Sequence, residues 1–419
     1  MLLAGCNAAL KIPASDSNSF LGAVALADGQ TPQGSGAPLL RVLTIHGMGT
    51  TNTCGFTGFF AAFAKRLGLV EIPPAATEPL DEACPDGPQP VLAVPAPQLI
   101  APASAPAPAK LYTYAFGPSA TGPAALKISF LLWSPLTTGI KTERLKADGA
   151  LPRQAFAQAA KDFIDDKFAD VLLYTGSYRV SVMRPAVEAA LCLVIGGTPG
   201  RDLRDCRHGD YREPTILLTH SQGGYMLMDA IDDELGNTPP TGVRAEQTAA
   251  AKIVAKTQGV FMLANQLALL DLTALTSYPP HATPSTHAVS LETAAQSRGE
   301  FGRLMRNFAQ HWARLRGRLP PAVSLYRPSP PPPDQIVAFS DPNDILSWLV
   351  TKEDLGLPAA DAPKVSLTNV YLSNHEFEIP ALFSDPVTAH TGYFENQTVI
   401  DLLACGMDNG AVKRCPPAL

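Results

Sequence analysis

Apolar residues along this chain gather in short continuous runs set between stretches of helical spacing, the rhythm of buried strands alternating with helices. Leu39 to Ile45 is one such run, and it ends in the turn His46-Gly47-Met48-Gly49. Phe56 to Leu67 follows with apolar residues at helical intervals and Lys65-Arg66 near its end, which predicts a helix. Tyr112-Thr113-Tyr114 and Ile128 to Trp133 are strand-like in composition, and Gln154 to Cys192 is mainly helical. The clearest unit is Thr215 to His220, a buried strand, then the sharp turn Ser221-Gln222-Gly223-Gly224, then an apolar helix from Tyr225 to Leu235 stopped by Gly236. Later strands are predicted at Gly259 to Leu263, Gln335 to Phe339 and Val365 to Leu372, with helices over Leu291 to Leu315 and Tyr393 to Cys405. Strands alternating with helices imply an α/β domain with a mostly parallel central sheet covered on both faces.

Two regions break the rhythm. Residues 7 to 37 are rich in Ala, Ser, Gly, Pro and Asp, so residues 1–37 read as an N-terminal segment and flexible tether. Many of the 40 prolines cluster between Pro73 and Ala109 and again at Pro330 to Pro333, which marks surface loops rather than an interrupted core. Residues 38–419 therefore form one domain, with insertions at about 70–110 and 136–210, the second a further insertion or cap.

Composition narrows the class. Hydrophobic residues make up 46 % and charged residues 17 %, enough to build a sizeable core and too apolar for wholesale disorder. A net charge of −6 without a long Lys/Arg run gives no electrostatic footprint for nucleic acid. No apolar run reaches the roughly 18 residues needed to span a bilayer. Setting Cys6 aside, six cysteines form three sequence-near pairs, 54 with 84, 192 with 206 and 405 with 415. Local pairing is the simplest of about 15 possible connectivities, and disulfides point to an oxidising compartment. No CxxC or Cys/His cluster suggests zinc. Leu3-Ala4-Gly5-Cys6 resembles the end of a bacterial lipoprotein signal, although the basic and long apolar regions of a complete signal are missing from it.

The candidate chemistry centres on Ser221. A serine hydroxyl becomes nucleophilic when an imidazole takes its proton, and the imidazole needs a carboxylate to hold its tautomer. The developing oxyanion needs two fixed N–H donors. Ser221 lies where a buried strand turns abruptly into a helix, which exposes Oγ and places the Gln222 N–H at the helix N-terminus. Such a turn wants small residues two positions before and after the serine. Gly223 and Gly224 suit it, while Thr219 departs from the Gly-x-Ser-x-Gly pattern. Asp341 and Asp344 both follow the strand ending near Phe339. His390 precedes the final helix, and His375 at a strand end is the runner-up for the base. His220 reads as a packing residue of the elbow, because neighbours on a strand point to opposite faces, and His46 as a structural residue hydrogen-bonded beneath the Gly-rich turn.

With these residues the chain resembles the lipase and esterase branch of the α/β-hydrolase superfamily, over roughly residues 38 to 419 but specifically only at its motifs. The resemblance implies the α/β-hydrolase fold and the triad order Ser, Asp, His. His46-Gly47-Met48-Gly49 is similar to the His-Gly-x-Gly of lipases and esterases, which gives Met48 the second oxyanion N–H beside Gln222. Asn343-Asp344-Ile345-Leu346-Ser347 is similar to the stretch around the triad acid of bacterial lipases, which favours Asp344. The expectation is an esterase acting through Ser221, Asp344 and His390, on a small-molecule or lipid ester, with no metal or organic cofactor and no nucleic-acid partner. A peptidase or amidase on the same fold, or a catalytically silent surface binding protein, are the alternatives. Lipidation of Cys6 would anchor the protein to the membrane at the bacterial cell envelope, at the outer membrane or on the periplasmic side, and the alternative is a secreted protein.

Overall fold

The computed structural model describes residues 10–11, 17–28, 39–52, 54–95, 106–149, 154–200, 203, 205–236, 248–265, 300–317, 334–351, 365–374 and 386–415. Cys6, His375 and the proline run at 330–333 lie outside the described residues. An 11-stranded sheet forms the frame. Its strands in chain order are β1 (Leu10–Lys11), β2 (Leu40–Ile45), β3 (Val70–Glu71), β4 (Leu80–Asp81), β5 (Gln89–Val94), β6 (Ala109–Gly117), β7 (Leu126–Leu132), β8 (Thr215–His220), β9 (Thr257–Leu263), β10 (Asp334–Ser340) and β11 (Val365–Tyr371). Across the sheet they run β1-β11-β10-β9-β8-β2-β7-β6-β5-β4, with β3 paired to β6.

The sheet is mixed, which corrects the expectation of a mostly parallel sheet and of the α/β-hydrolase fold. Five pairings are parallel, linking β11, β10, β9, β8, β2 and β7. Five others are antiparallel, at β1 and throughout the flank from β7 to β4. The reason lies in the segment read as a surface insertion. A parallel return needs a crossover of about a dozen residues or more, whereas residues 82–88 and 118–125 join β4 to β5 and β6 to β7 by much shorter paths. Short connections allow only antiparallel neighbours, so this region extends the sheet instead of decorating it.

Helices cover both faces, as the strand alternation predicts. In β2, Leu40 and Val42 join one core while Leu43 and Ile45 join the other. The first core is closed by α1 (Ala23–Asp28), α2 (Thr57–Arg66) and a late helix, α11 (Gln397–Cys405). On the opposite face lie α3 (Pro135–Gly149), α4 (Ala155–Phe163), α5 (Ala169–Thr175), α6 (Arg184–Val194), α7 (Gln222–Gly236), α8 (Ala249–Lys256) and α9 (Glu300–Gly317). The remaining helix, α10 (Pro386–Thr391), follows β11 in the chain and carries His390. A π-helical turn, Ile164–Phe168, joins α4 to α5.

Two segments depart from their sequence reading. Residues 17–28 are packed rather than a free tether, because Phe20, Ala23, Val24, Leu26 and Ala27 supply a buried face against the sheet. Part of the stretch read as an insertion or cap is core: in α6, Ala186, Val187, Ala189, Ala190 and Leu191 are buried, and the helix packs on α7 and α8. The disulfides join Cys54 to Cys84, Cys192 to Cys206 and Cys405 to Cys415, the local pairing the spacing suggested. Closing a 15-residue loop constrains the unfolded chain by roughly 3 kcal/mol. Among the described residues no helix is long and apolar enough to cross a membrane.

Where α6 meets α7, the buried Glu188, Asp229 and Asp233 gather around the half-buried Arg184. Burial, then the Asp233 and Glu234 carboxylates, push the Glu188 carboxyl from 4.5 up to about 9, against the pull of Arg184. A carboxyl whose pKa rises on folding holds its proton in the folded state. Its contribution is fully present below pH 4.5 and is lost as the pH climbs through about 9. Glu188→Gln, which keeps the shape and cannot ionise, should therefore raise the Tm at pH 8 and leave it unchanged at pH 4. Thermal melts at the two pH values check this, and an equal shift at both would show that the carboxyl is not the cause.

Candidate active site

The parallel block sends the carboxyl ends of β2, β8, β9, β10 and β11 to one edge, and the candidate residues meet there. Ser221 joins the end of β8 to the start of α7 with φ +53. A side chain at positive φ is strained and persists only where its surroundings hold it. Here the Ser221 N–H donates to the Leu263 carbonyl at the end of β9, 2.9 Å away, and the Ser221 carbonyl accepts the Gly224 N–H at 3.1 Å. The helix passes so close to β2 that a Cβ at Gly223 would stand 2.5 Å from the His46 oxygen and 2.6 Å from that of Ile45. Thr219, the irregular position, fits because Gly224 leaves room: a Cβ there would lie 3.1 Å from Thr219 Oγ1. Ser221 is buried, and Oγ has no hydrogen-bond partner among the described residues.

His390 and Asp344 come together. The His390 Nδ1 lies 2.9 Å and 3.0 Å from the two Asp344 oxygens, and both side chains are buried. A carboxylate only accepts, so Nδ1 carries the proton and Nε2 is the basic nitrogen. Asp344 is held in turn by the Leu346 N–H at 2.9 Å and by the Tyr393 hydroxyl at 3.4 Å. Asp341, the other aspartate considered, does not reach the imidazole. It accepts the Asn343 N–H at 2.8 Å and the Asn374 N–H at 2.6 Å, and Asn374 donates through Nδ2 to the Ala389 carbonyl at 2.7 Å. Asp341 thus braces the segment that carries His390.

His220 has a function that its sequence position did not reveal. Its Nε2 donates to the His390 carbonyl at 2.9 Å, and the two rings lie 5.0 Å apart between centroids. The residue before the serine therefore ties the elbow to the histidine segment. The signal in the sequence was a His at the strand end facing away from Thr219, but its partner is 170 residues distant and nothing local points to it. Burial, then the neighbouring His390, hold the His220 pKa well below its usual range.

His46 anchors the turn after β2. Its Nε2 accepts the Trp133 and Ser134 N–H groups at 3.1 and 3.3 Å, its Nδ1 meets the Thr51 hydroxyl at 2.9 Å, and its ring stacks on Trp133 with centroids 4.8 Å apart. Burial is the main reason its pKa falls from 6.5 to about 3. Gly47 touches the serine, since a Cβ there would be 2.5 Å from Ser221 Cβ, and Met48 follows, buried. Gln222 opens α7, where a backbone N–H has no intrahelical acceptor. Beyond Met48 the turn is gripped by the helical insertion. The Gly49 N–H donates to Asp170 at 2.7 Å, and the Thr50 N–H donates to Asp166 at 3.0 Å. The two aspartates and Lys141 were missed in the sequence, because charged residues on a helix read as a solvated face. A cleft of about 430 Å³ opens beside this turn, lined by Thr50, Thr138, Lys141, Leu145, Asp165 and Asp166 among others.

Among the described residues, the cluster with metal-ligand proximity is Cys54, Asp81 and Cys84, and its two sulfurs are joined to each other. No protein-family model, curated protein or solved structure matches this chain.

Both shielded histidines are neutral in the fold. Their depressed pKa values mean that stability is present above pH 6.5 and is lost as the pH falls toward about 3 for His46. In ring-proton NMR, neither His46 nor His220 should titrate between pH 5 and 9. A midpoint near 6.5 for either would contradict its burial as a neutral hydrogen-bonded ring.

Proposed function

We propose that the chain is a serine hydrolase that cleaves carboxylic esters through an acyl-enzyme on Ser221. The observation that carries the reading is the strained Ser221 elbow tied, through the 2.9 Å bond from His220 to the His390 carbonyl, to a His390–Asp344 pair in a buried setting. Strain of this kind gathers at reactive positions. His390 Nε2 takes the Ser221 proton as Oγ attacks the ester carbonyl, and Asp344 stabilises the imidazolium. The N–H groups of Met48 and Gln222 hold the oxyanion. His390 then protonates the departing alcohol, and a water attacks the acyl-enzyme by the same path in reverse. The hydrogen bond from Ser221 Oγ to His390 is not formed among the described residues. Such links are often long without substrate and tighten in the Michaelis complex.

The three disulfides support an exported protein. Cys6 is proposed as the lipid-bearing residue that holds the domain in the bacterial cell envelope, at the outer membrane or on the periplasmic side, with a secreted protein the alternative.

Ser221→Ala should abolish turnover of a p-nitrophenyl ester and labelling by a fluorophosphonate, while Asp344→Asn should lower kcat by about 10⁴ through the wrong histidine tautomer. Undiminished activity in the Ser221 variant would remove the reading. A panel of esters and peptide amides separates an esterase from a peptidase, and no turnover of either by the intact protein would favour a silent binding role. For the anchor, cells fed labelled palmitate should lose protein-bound label on Cys6→Ala. Equal label in both would place the lipid elsewhere.

A further inference from the structure

We infer that Asp170, on α5 of the helical insertion, is the positioning residue that sets both halves of the oxyanion site, an inference that rests on the hydrolase reading above. Its carboxylate accepts the Gly49 N–H at 2.7 Å, on the peptide that follows Met48. Its main-chain carbonyl accepts the Gln222 side-chain amide at 3.3 Å. Met48 and Gln222 are the two proposed oxyanion donors, and they come from opposite ends of the site, after β2 and at the start of α7. One residue from a third element touches both.

The surroundings fit a part that must not move. The Asp170 side chain is 0 % exposed, and Lys141, 7 % exposed, reaches the same carboxylate oxygen at 3.0 Å from α3. Lys141 also donates to the Asp166 carbonyl, and Asp166 accepts the Thr50 N–H and hydroxyl. Burying an ion pair is costly, and leaving either partner alone costs more. Apolar side chains of similar volume would have served packing alone at least as well. What they could not supply is an acceptor for the Gly49 N–H. Burial raises the Asp170 pKa, and the Lys141 ammonium beside the carboxylate is the chief influence opposing that rise.

A lid would act differently. Side chains of a lid meet the substrate, so changing them alters KM and the preferred acyl length. A brace behind the oxyanion donors acts where charge develops, so changing it lowers kcat for every substrate alike.

The test compares Asp170→Ala with two double variants, Lys141→Met/Asp170→Ala and Lys141→Met/Asp170→Asn, in the intact protein. The doubles remove the unpaired ammonium that could unfold the single variant. Rates on p-nitrophenyl acetate and butyrate are normalised to sites titrated to end-point with a fluorophosphonate. A merely structural loss lowers the number of sites and leaves the rate per site unchanged. Both alanine variants should lose about 10- to 100-fold in kcat per titrated site, less than deletion of an oxyanion donor, with KM within about twofold. The asparagine double, which keeps an oxygen for the Gly49 N–H without charge, should recover most of the rate. Wild-type kcat per site in Lys141→Met/Asp170→Ala, or a loss as large in the asparagine double, would overturn the inference. If the wild type itself is neither labelled at Ser221 nor active, the hydrolase reading fails separately. Amide exchange at Gly49 then decides the brace: faster exchange in the alanine double sustains it, and unchanged exchange overturns it.

Discussion

Ser221 takes φ +53 at the point where β8 leaves the sheet and α7 begins, a conformation that costs a residue with a side chain about 1–3 kcal/mol. The neighbours absorb that cost. The Leu263 carbonyl claims the serine N–H, and α7 lies so close to β2 that Gly223 has no space for a Cβ. The same crowding sets the site. Gly47 is pressed against the serine because the helix and the β2 turn must share that space. A larger residue at either glycine would move the β2 turn and the elbow apart, and with them the two proposed oxyanion donors.

The sheet is mixed, yet the site needs only its parallel block. Parallel neighbours all present their carboxyl ends at one edge, which is where side chains from distant parts of the chain can converge. Ser221 follows β8, Asp344 follows β10, and His390 arrives after β11. The antiparallel flank from β6 to β4 contributes none of these residues. A fold can thus depart from the pattern a resemblance suggests while the Ser221 elbow and the His390–Asp344 pair still form at one edge of its parallel block.

That separation explains what was legible in the sequence. The elbow could be read because its causes are local: a buried run, a serine and two glycines. Asp344 and His390 meet, and the spacing of the cysteines gave the disulfide pairs, because strand ends and short loops leave few other options. The flank could be read only in part. Tyr112 to Tyr114 looks like strand and lies in β6, but proline and alanine between 73 and 109 look like loop, and only pairing with β6 makes β5 an extended strand of the sheet. Residues 17–28 were missed for a related reason, since a run as short as Phe20 to Ala27 gains its stability from packing and not from its own propensity. His220, Asp341 and Asp170 escaped because their partners are far away in the chain, and a polar residue announces its partner only in three dimensions.

These three residues share a physical logic. A catalytic array must be rigid before substrate arrives, and backbone segments are best fixed by polar bonds shielded from water, where a bond is strong and has few competitors. His220 and Asp341 hold the His390 segment, one on its carbonyl and one through Asn374. Asp170 holds the β2 turn, with Lys141 making its burial tolerable. Burial acts on the titration of two of these supports in opposite ways. For His220 it favours the neutral ring, whereas it works against the Asp170 carboxylate and is opposed there by a cation. The insertion that carries Asp170 is therefore bound to the site by electrostatics as much as by packing. A segment held in that way is poorly suited to swing open.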